Sequence, residues 1–396
     1  MTSMSKSGAI VLALLLSGCA KEPRWNAVSA EAEPIRPGLA PPAQALTFAQ
    51  VRNADGRIAT LLVSRFEGEA IEAIDLTGLG APLDSDVFDA SAAVGEARLT
   101  SALRQTGLAR TYAIGELLPS AAAVDRHLAS GTNFPEHAEE TASSKVFNFP
   151  KFGHPTPAIT TVRLNPGVLL DYEVEICARF DRDLRSAADF DAARKGFFLC
   201  GDFTDRATLV RLVDRDDIGS GQGFSDAKSG PDFFPTGPFV VIPHDWKQFV
   251  AQERIVTRVN SELRQDARGG EMILDFRALV EKAITGGGGG RYRYQGAPAT
   301  LLEGGVIARG STLMSGTSEG VIFMPPTRGD IAAGVARYVF SGAMFRGEPS
   351  FATVGESFIQ SEMKSGRYLE AGDRVEHASS SMGAVSVTVV TGGGPA

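Results

Sequence analysis

The chain reads as a mainly-β α+β protein, with a small α+β domain ahead of a larger strand-rich one. Three observations carry that expectation. From Ala129 onward, short apolar stretches of strand length recur between long connections rich in glycine and proline, as in a closed or sandwiched β architecture. Before them, over residues 46–119, strand and helix patterns mix. The composition, 43% hydrophobic and 22% charged over 396 residues, is that of a soluble protein long enough for two or three domains and a sizeable core.

At the N-terminus, Lys6 precedes the apolar run 9–16, and Ser17, Gly18 and Cys19 follow. That order is a secretory signal, too short for a transmembrane helix. The ending Leu16-Ser17-Gly18-Cys19 resembles the lipobox of bacterial lipoproteins, which implies removal of residues 1–18 and lipidation of Cys19. A plain signal peptide with an incidental cysteine is the other reading. Stable anchoring takes more than one acyl chain on the cysteine. Ala20, rather than the Asp-type retention signal, favours the outer over the inner membrane. The expected location is therefore the bacterial cell envelope, facing the periplasm, with membrane attachment through Cys19. No internal stretch is long and apolar enough to span a bilayer.

Residues 19–44 carry Pro23, Pro34, Pro37, Pro41 and Pro42 and read as an extended tether. The small domain, 45–123, shows a strand pattern at 58–64 and a helical one at 91–106, with no chemical motif, and its expected role is packing or dimer support. The larger domain, 124–396, has candidate strands at 168–177, 197–203, 239–242, 255–259, 312–315 and 385–390 and a helix at 278–284. The glycine run 286–290 reads as an insertion loop. There is no internal repeat. The formal net charge of −8 argues against a nucleic-acid partner, which needs a basic surface. Cys177 and Cys200, left once Cys19 is set aside, are no disulfide framework.

The chemistry centres on Asp171-Tyr172-Glu173-Val174-Glu175-Ile176-Cys177. As a strand it places Asp171, Glu173 and Glu175 on one face. Three carboxylates there repel one another unless water or a cation neutralises them, so a solvated acidic face and a site for a hard cation such as Mg²⁺, Mn²⁺ or Ca²⁺ are the two readings.

Other segments choose between them. Gly131-Thr132-Asn133-Phe134-Pro135-Glu136-His137-Ala138-Glu139-Glu140 is similar to G-x-N-Y-x-x-H-x-x-E, and Asp171 to Ile176 is similar to D-Y-E-x-E-[LI]. Gly196 to Arg206 is similar to G-[YF]-x-x-x-N-D-x-[ST]-x-R, and Val259 to Gln265 to V-N-G-E-x-R-Q. Ser315 to Val321 is similar to T-G-T-P-x-G-V, and Leu369 to Asp373 to L-x-x-G-D. In this order they resemble the fumarylacetoacetate hydrolase family over about residues 45–391, and the resemblance implies that family's C-terminal β-roll or barrel and a homodimer.

The resemblance implies Glu173, Glu175 and Asp202 as ligands of a divalent metal, Mg²⁺ or Mn²⁺ with Ca²⁺ a further option, and Asp171 outside that shell. It implies a catalytic dyad, His137 oriented by Glu140, on a mobile lid. Asn133 with Glu136 three residues on reads as a helix start there, and Pro135 suits its first turn. Lys228 is expected to stabilise negative charge on the substrate or to hold a metal-bound carboxylate. Lys151 is expected near the substrate entrance, and Phe134, Gly316 and Thr317 at the substrate, Thr317 through its hydroxyl and adjacent amides. His154, His244 and His377 read as loop or surface residues.

Departures from the motif cluster on the substrate side. Gly201 stands for Asn, Asp205 for Ala, Ala207 for Asp, Phe134 for Tyr and Ser318 for Pro, and Leu209 lies near the place of a glutamine. If Glu175 and Asp202 face each other on antiparallel neighbours, Cys177 also faces Cys200, with Cβ atoms roughly 4.5–5.5 Å apart. That is wide for a disulfide without adjustment, so a bridge and two free buried thiols both stand.

The function implied is metal-dependent hydrolysis of a carbon–carbon bond in a 2-oxo or 1,3-dicarbonyl acid, an acylpyruvate or a fumarylacetoacetate-like molecule. Alternatives are a decarboxylase, isomerase or hydratase of a related oxo acid, and a binding lipoprotein that no longer turns its ligand over.

Overall fold

The structure is a computed structural model that describes residues 33–141, 145–286, 292–327, 329–332, 334–335 and 350–393. The lipobox with Cys19, most of the tether and the glycine run after Gly286 lie outside the described residues.

Four antiparallel strands come first: β1 (Ala45–Arg52), β2 (Ile58–Glu67), β3 (Ala70–Asp75) and β4 (Arg110–Ala113). Next in the chain are β5 (Arg126–Gly131), β6 (Phe147–Phe152), β7 (Ile159–Leu164), β8 (Leu170–Asp171) and β9 (Val174–Phe180). They are followed by β10 (Lys195–Gly201), β11 (Thr204–Asp205), β12 (Val240–Pro243), β13 (Arg254–Val259) and β14 (Glu262–Arg268). The last five are β15 (Tyr292–Tyr294), β16 (Ala297–Ala299), β17 (Leu313–Met314), β18 (Arg374–Ser379) and β19 (Ala384–Thr391).

A ten-stranded sheet runs β4-β3-β2-β1-β12-β10-β9-β17-β5-β6, and a five-stranded sheet runs β14-β13-β18-β19-β7. The mainly-β α+β class is as expected. Both sheets are open rather than closed into a barrel, since each order ends on two edge strands among the described residues. The strands of residues 45–113 continue the large sheet, because β1 pairs antiparallel with β12 and sets Phe48 opposite Val240.

The helix expected at 91–106 is two, Val87–Val94 and Glu96–Ala102. Gly95 separates them at φ 83°, a left-handed conformation that ends one helix and that only glycine adopts cheaply. Val87, Ala90 and Leu99 from the two helices cover Leu46, Phe48, Leu62 and Ile74 in a satellite core. The helix expected at 278–284 is present as Phe276–Gly286, with Phe276, Leu279, Val280 and Ala283 buried along one side.

The acidic stretch lies in the interior rather than on an exposed face. Tyr172 and Glu173 interrupt it between β8 and β9, and every residue of β9 and β10 is buried. A strand covered on both faces need not alternate in polarity, so its carboxylates are buried with their counter-charges.

Candidate metal centre and cavity

In the β9–β10 register, Cys200 lies opposite Glu175 and Phe198 opposite Cys177. Asp202 therefore does not face Glu175, as the sequence led one to expect. It lies just past the end of β10, where its amide donates to the Glu173 carbonyl (2.9 Å). The displacement still converges the three acids: one oxygen each of Glu173, Glu175 and Asp202 lies within 4.8 Å of the others, and all three residues are buried. The same register makes Cys177 and Cys200 diagonal neighbours, and they are bridged, with Cα atoms 6.0 Å apart. That separation lies within the range a disulfide spans.

Three cations surround the acids. Lys228 Nζ bridges Glu173 (2.7 Å) and Asp202 (2.9 Å) and donates to Thr204 Oγ1 (2.9 Å). Of its two expected roles, this geometry is that of holding carboxylates. Lys151 Nζ pairs with Asp202 Oδ1 (2.7 Å) and is fully buried, which corrects its expected position near an entrance. Arg206 donates to Asp171 (2.8 Å) and Glu173 (2.7 Å). Asp171 also accepts from the amides of Ile322 (2.9 Å) and Phe323 (3.0 Å), so it fixes a neighbouring segment rather than pointing to water.

Asp171, Glu173, Glu175 and Asp202 against Lys151, Lys228 and Arg206 leave one negative charge in excess. Burial pushes Glu173 up, but Lys228 and then Arg206 outweigh it and hold the carboxyl below its ordinary range. Glu175 goes the other way: burial first, then Asp202 and Glu173, raise it well above the usual carboxylate range. Its Oε2 accepts from the Gly316 amide (2.7 Å), while its buried Oε1 has no partner. An unpartnered carboxylate oxygen beside two other acid groups fits a hard divalent cation, which takes oxygen ligands. Glu173, Glu175 and Asp202 would hold it.

The dyad is formed. On the helix Pro135–Glu140, His137 Nδ1 lies 3.0 Å from Glu140 Oε2, and Glu140 Oε1 accepts from the Gly320 amide (3.3 Å). Phe134, not Asn133, occupies the cap position of that helix. Asn133 instead donates to the carbonyls of Leu274 (3.0 Å) and Ser315 (2.9 Å) and accepts from the Leu274 amide (2.8 Å), tying the base of the helix to the segment after β17.

A cavity of about 460 Å³ joins these parts, with His137, Glu173, Arg206, Lys228 and Thr317 at its polar end. Phe134 is buried and is not among the lining residues, so the structure does not bring it to the cavity. The Thr317 hydroxyl donates to the Val174 carbonyl (3.0 Å), which commits its proton to the protein, and Gly316 uses its amide on Glu175. His377 is fully buried on β18, not at the surface, with Nδ1 2.9 Å from Thr257 Oγ1. His154 and His244 are exposed in loops.

Gln265 had no role assigned from sequence although it lies in a quoted motif. Its Oε1 accepts from the Val174 amide (3.2 Å) and its Nε2 donates to Thr317 Oγ1 (2.9 Å) and the Ser318 carbonyl (3.0 Å), locking β9 to the segment after β17. At Gly201 an added Cβ would stand 2.9 Å from Pro235 Cγ and 3.0 Å from His377 Nε2, so the asparagine of the motif has no room here.

Fold and site together define a mainly-β protein with a buried carboxylate centre suited to a divalent cation. Residues 126–390 match the profile of the family described as fumarylacetoacetate (FAA) hydrolase C-terminal, and the chain belongs to that family. It is 29% identical over 193 residues to uncharacterized proteins of Staphylococcus aureus strains USA300 and NCTC 8325 / PS 47, a match covering 46% of this chain and 61% of those relatives' length. Among solved structures, the fold is similar to a 2-hydroxyhepta-2,4-diene-1,7-dioate isomerase from Mycobacterium marinum, with TM-score 0.50, 19% identity and coverage of 88% of this chain and 99% of that one. It is also similar to a Mycobacterium smegmatis protein provisionally assigned as HpcE, with TM-score 0.52, 18% identity and coverage of 88% and 100%.

Proposed function

We propose that the protein is a divalent-metal-dependent hydrolase that cleaves a carbon–carbon bond in a 1,3-dicarbonyl acid of the acylpyruvate type. The observation that carries this reading is the joining, in one cavity, of His137 from the Glu140-oriented dyad with Glu173 of the carboxylate triad. A bound divalent cation supplies Lewis acidity toward the oxo oxygens of such an acid.

The chain's own groups account for the proton transfers. Glu140 holds His137 at Nδ1, which leaves Nε2 to take a proton from water. The water oxygen bonds to the distal carbonyl carbon, and the bond from that carbon to the central carbon breaks. The electron pair stays on the central carbon, which takes back the proton from His137. The products are a carboxylic acid and a 2-oxo acid, and water is the only co-reactant. Lys151, Lys228 and Arg206 hold the carboxylates in place throughout.

Purified protein with Mg²⁺ or Mn²⁺ should cleave acylpyruvates, and chelation should abolish turnover. Glu173→Ala should abolish the metal-dependent turnover, and His137→Ala should lower kcat by about 10²–10⁴-fold. Unchanged turnover in either variant would overturn these roles. Isomerisation of a related acid, the activity in the M. marinum protein's name, needs no nucleophilic water. A product of unchanged mass would favour that reading instead. We further propose the cell envelope as the site of action, supported by the lipobox-like Leu16-Ser17-Gly18-Cys19 and by the Cys177–Cys200 disulfide, a bond of oxidising compartments.

A further inference from the structure

Away from its polar end, the cavity changes character. The helix Arg206–Leu212 begins with Arg206, whose guanidinium pairs with Glu173. Leu209, Val210 and Val213 lie three, four and seven positions further on, so they share the face of Arg206 and line the same cavity. Phe224, Phe323 and Val354 face them from other segments. A single helix face thus leads from the charge that holds a metal ligand to an apolar wall.

Two further facts show that this end suits an apolar occupant. Ile331 and Val335, which also line the cavity, are each 47% exposed. Large apolar side chains left in water beside a concave apolar wall mark a ligand surface. Leu209, which stands near the place of a glutamine in the motif, gives this wall a hydrocarbon side chain. Arg215 also lines the cavity, but its guanidinium donates to the Val210 carbonyl (3.4 Å) at the end of the same wall.

We infer that the acid held at the metal centre carries an unbranched or lightly branched alkyl arm, rather than a second carboxylate, and that Leu209, Val210 and Val354 select it. The inference rests on the proposed oxo-acid reading for the head of the substrate and adds the nature of its tail.

The test uses binding of plain 2-oxo acids, which have no 1,3-dicarbonyl bond to cleave. Calorimetry on the Mg²⁺-loaded protein compares pyruvate, 2-oxohexanoate and 2-oxodecanoate with 2-oxoadipate, which matches 2-oxohexanoate in length but ends in a carboxylate. Affinity should rise about three- to fourfold per methylene until the wall is covered. The terminal carboxylate should weaken binding at least tenfold relative to the alkyl acid. Leu209→Gln and Ile331→Asn should each lower the ratio of 2-oxodecanoate to pyruvate affinity at least tenfold. Ile331 is half exposed, so its substitution tests the wall without disturbing the core.

Affinity that is flat or falling with chain length, or tighter binding of 2-oxoadipate, overturns the inference. Cleavage assays on alkyl-substituted acylpyruvates separate the two readings. Length-dependent binding without cleavage defeats the proposed reaction and keeps the alkyl tail. Cleavage with flat length dependence does the reverse.

Discussion

At the scale of single residues, His127 shows how burial fixes a protonation state. Its Nδ1 accepts from the Thr312 amide (3.3 Å) and its Nε2 lies 3.2 Å from the Gly153 carbonyl, an arrangement that only the neutral ring with its proton on Nε2 satisfies. Burial, and then the charge of Lys151, push its pKa down to about 4 from 6.5. The unfolded chain therefore takes up a proton on this ring below pH 6.5, and the folded chain does not until about pH 4. Stability from this group is complete above pH 6.5, falls as the pH drops from 6.5 to 4, and levels off below. The loss is on the order of 3 kcal/mol. Urea unfolding at pH 7.5 and pH 4.5 should show a smaller acid loss in His127→Gln than in the unsubstituted protein. An equal loss in both would mean that His127 is charged in the fold. His127, like His377, was not legible in the sequence, because a histidine in a strand carries no mark of whether tertiary packing will cover it. The three carboxylates were legible only through the family-like order of segments, since alternate acids on one strand fit a solvated face as well as a cation site and Asp202 lies on another segment. The lysines and Arg206 that neutralise them resemble solvated charges until the chain folds, and family order alone singled out Lys228 and Lys151.

At the scale of elements, strand existence was well marked and strand register was not. The apolar runs at 197–203 and 239–242 appear as β10 and β12 within a few residues. The pairing of β9 with β10 depends on the connection between them, which includes the helix Ala187–Ala192, and no local pattern reports where that connection returns. A shift of two residues preserved the faces and so preserved the ligand set, while it exchanged the partner of Glu175 from Asp202 to Cys200. It also made Cys177 and Cys200 diagonal neighbours, which the structure shows bridged. The bridge spans 23 positions and staples the two strands that carry Glu175 and lead into Asp202. Closing a loop of that size in the unfolded chain is worth about 3 kcal/mol. The double variant Cys177→Ala, Cys200→Ala should lose about that much in urea unfolding under non-reducing conditions. Identical midpoints, with two titratable thiols in the denatured unreduced protein, would show that the bridge does not form.

At the scale of the molecule, the large sheet joins the strands of residues 45–113 to those that carry the site, through the pairing of β1 with β12. The two-part division read from the sequence reflects a change in pattern along the chain, whereas the sheet runs across it. Sequence patterns report local periodicity, and which strand lies beside which is decided by burial that no window of residues contains. The centre itself holds opposed charges in an apolar surround, so its stability relies on the frame that keeps water out. A protein with a structural disulfide next to such a centre is best made where thiols are oxidised, which agrees with the reading of Cys19 as a lipidated first residue. That reading makes a direct prediction in bacteria expressing the full chain. The protein should incorporate labelled palmitate and sediment with membranes, and Cys19→Ala should abolish the label and release the protein into the soluble fraction. A soluble, unlabelled protein before substitution would remove the lipid anchor from the proposal, and the carboxylate centre would then have to be placed by its disulfide alone.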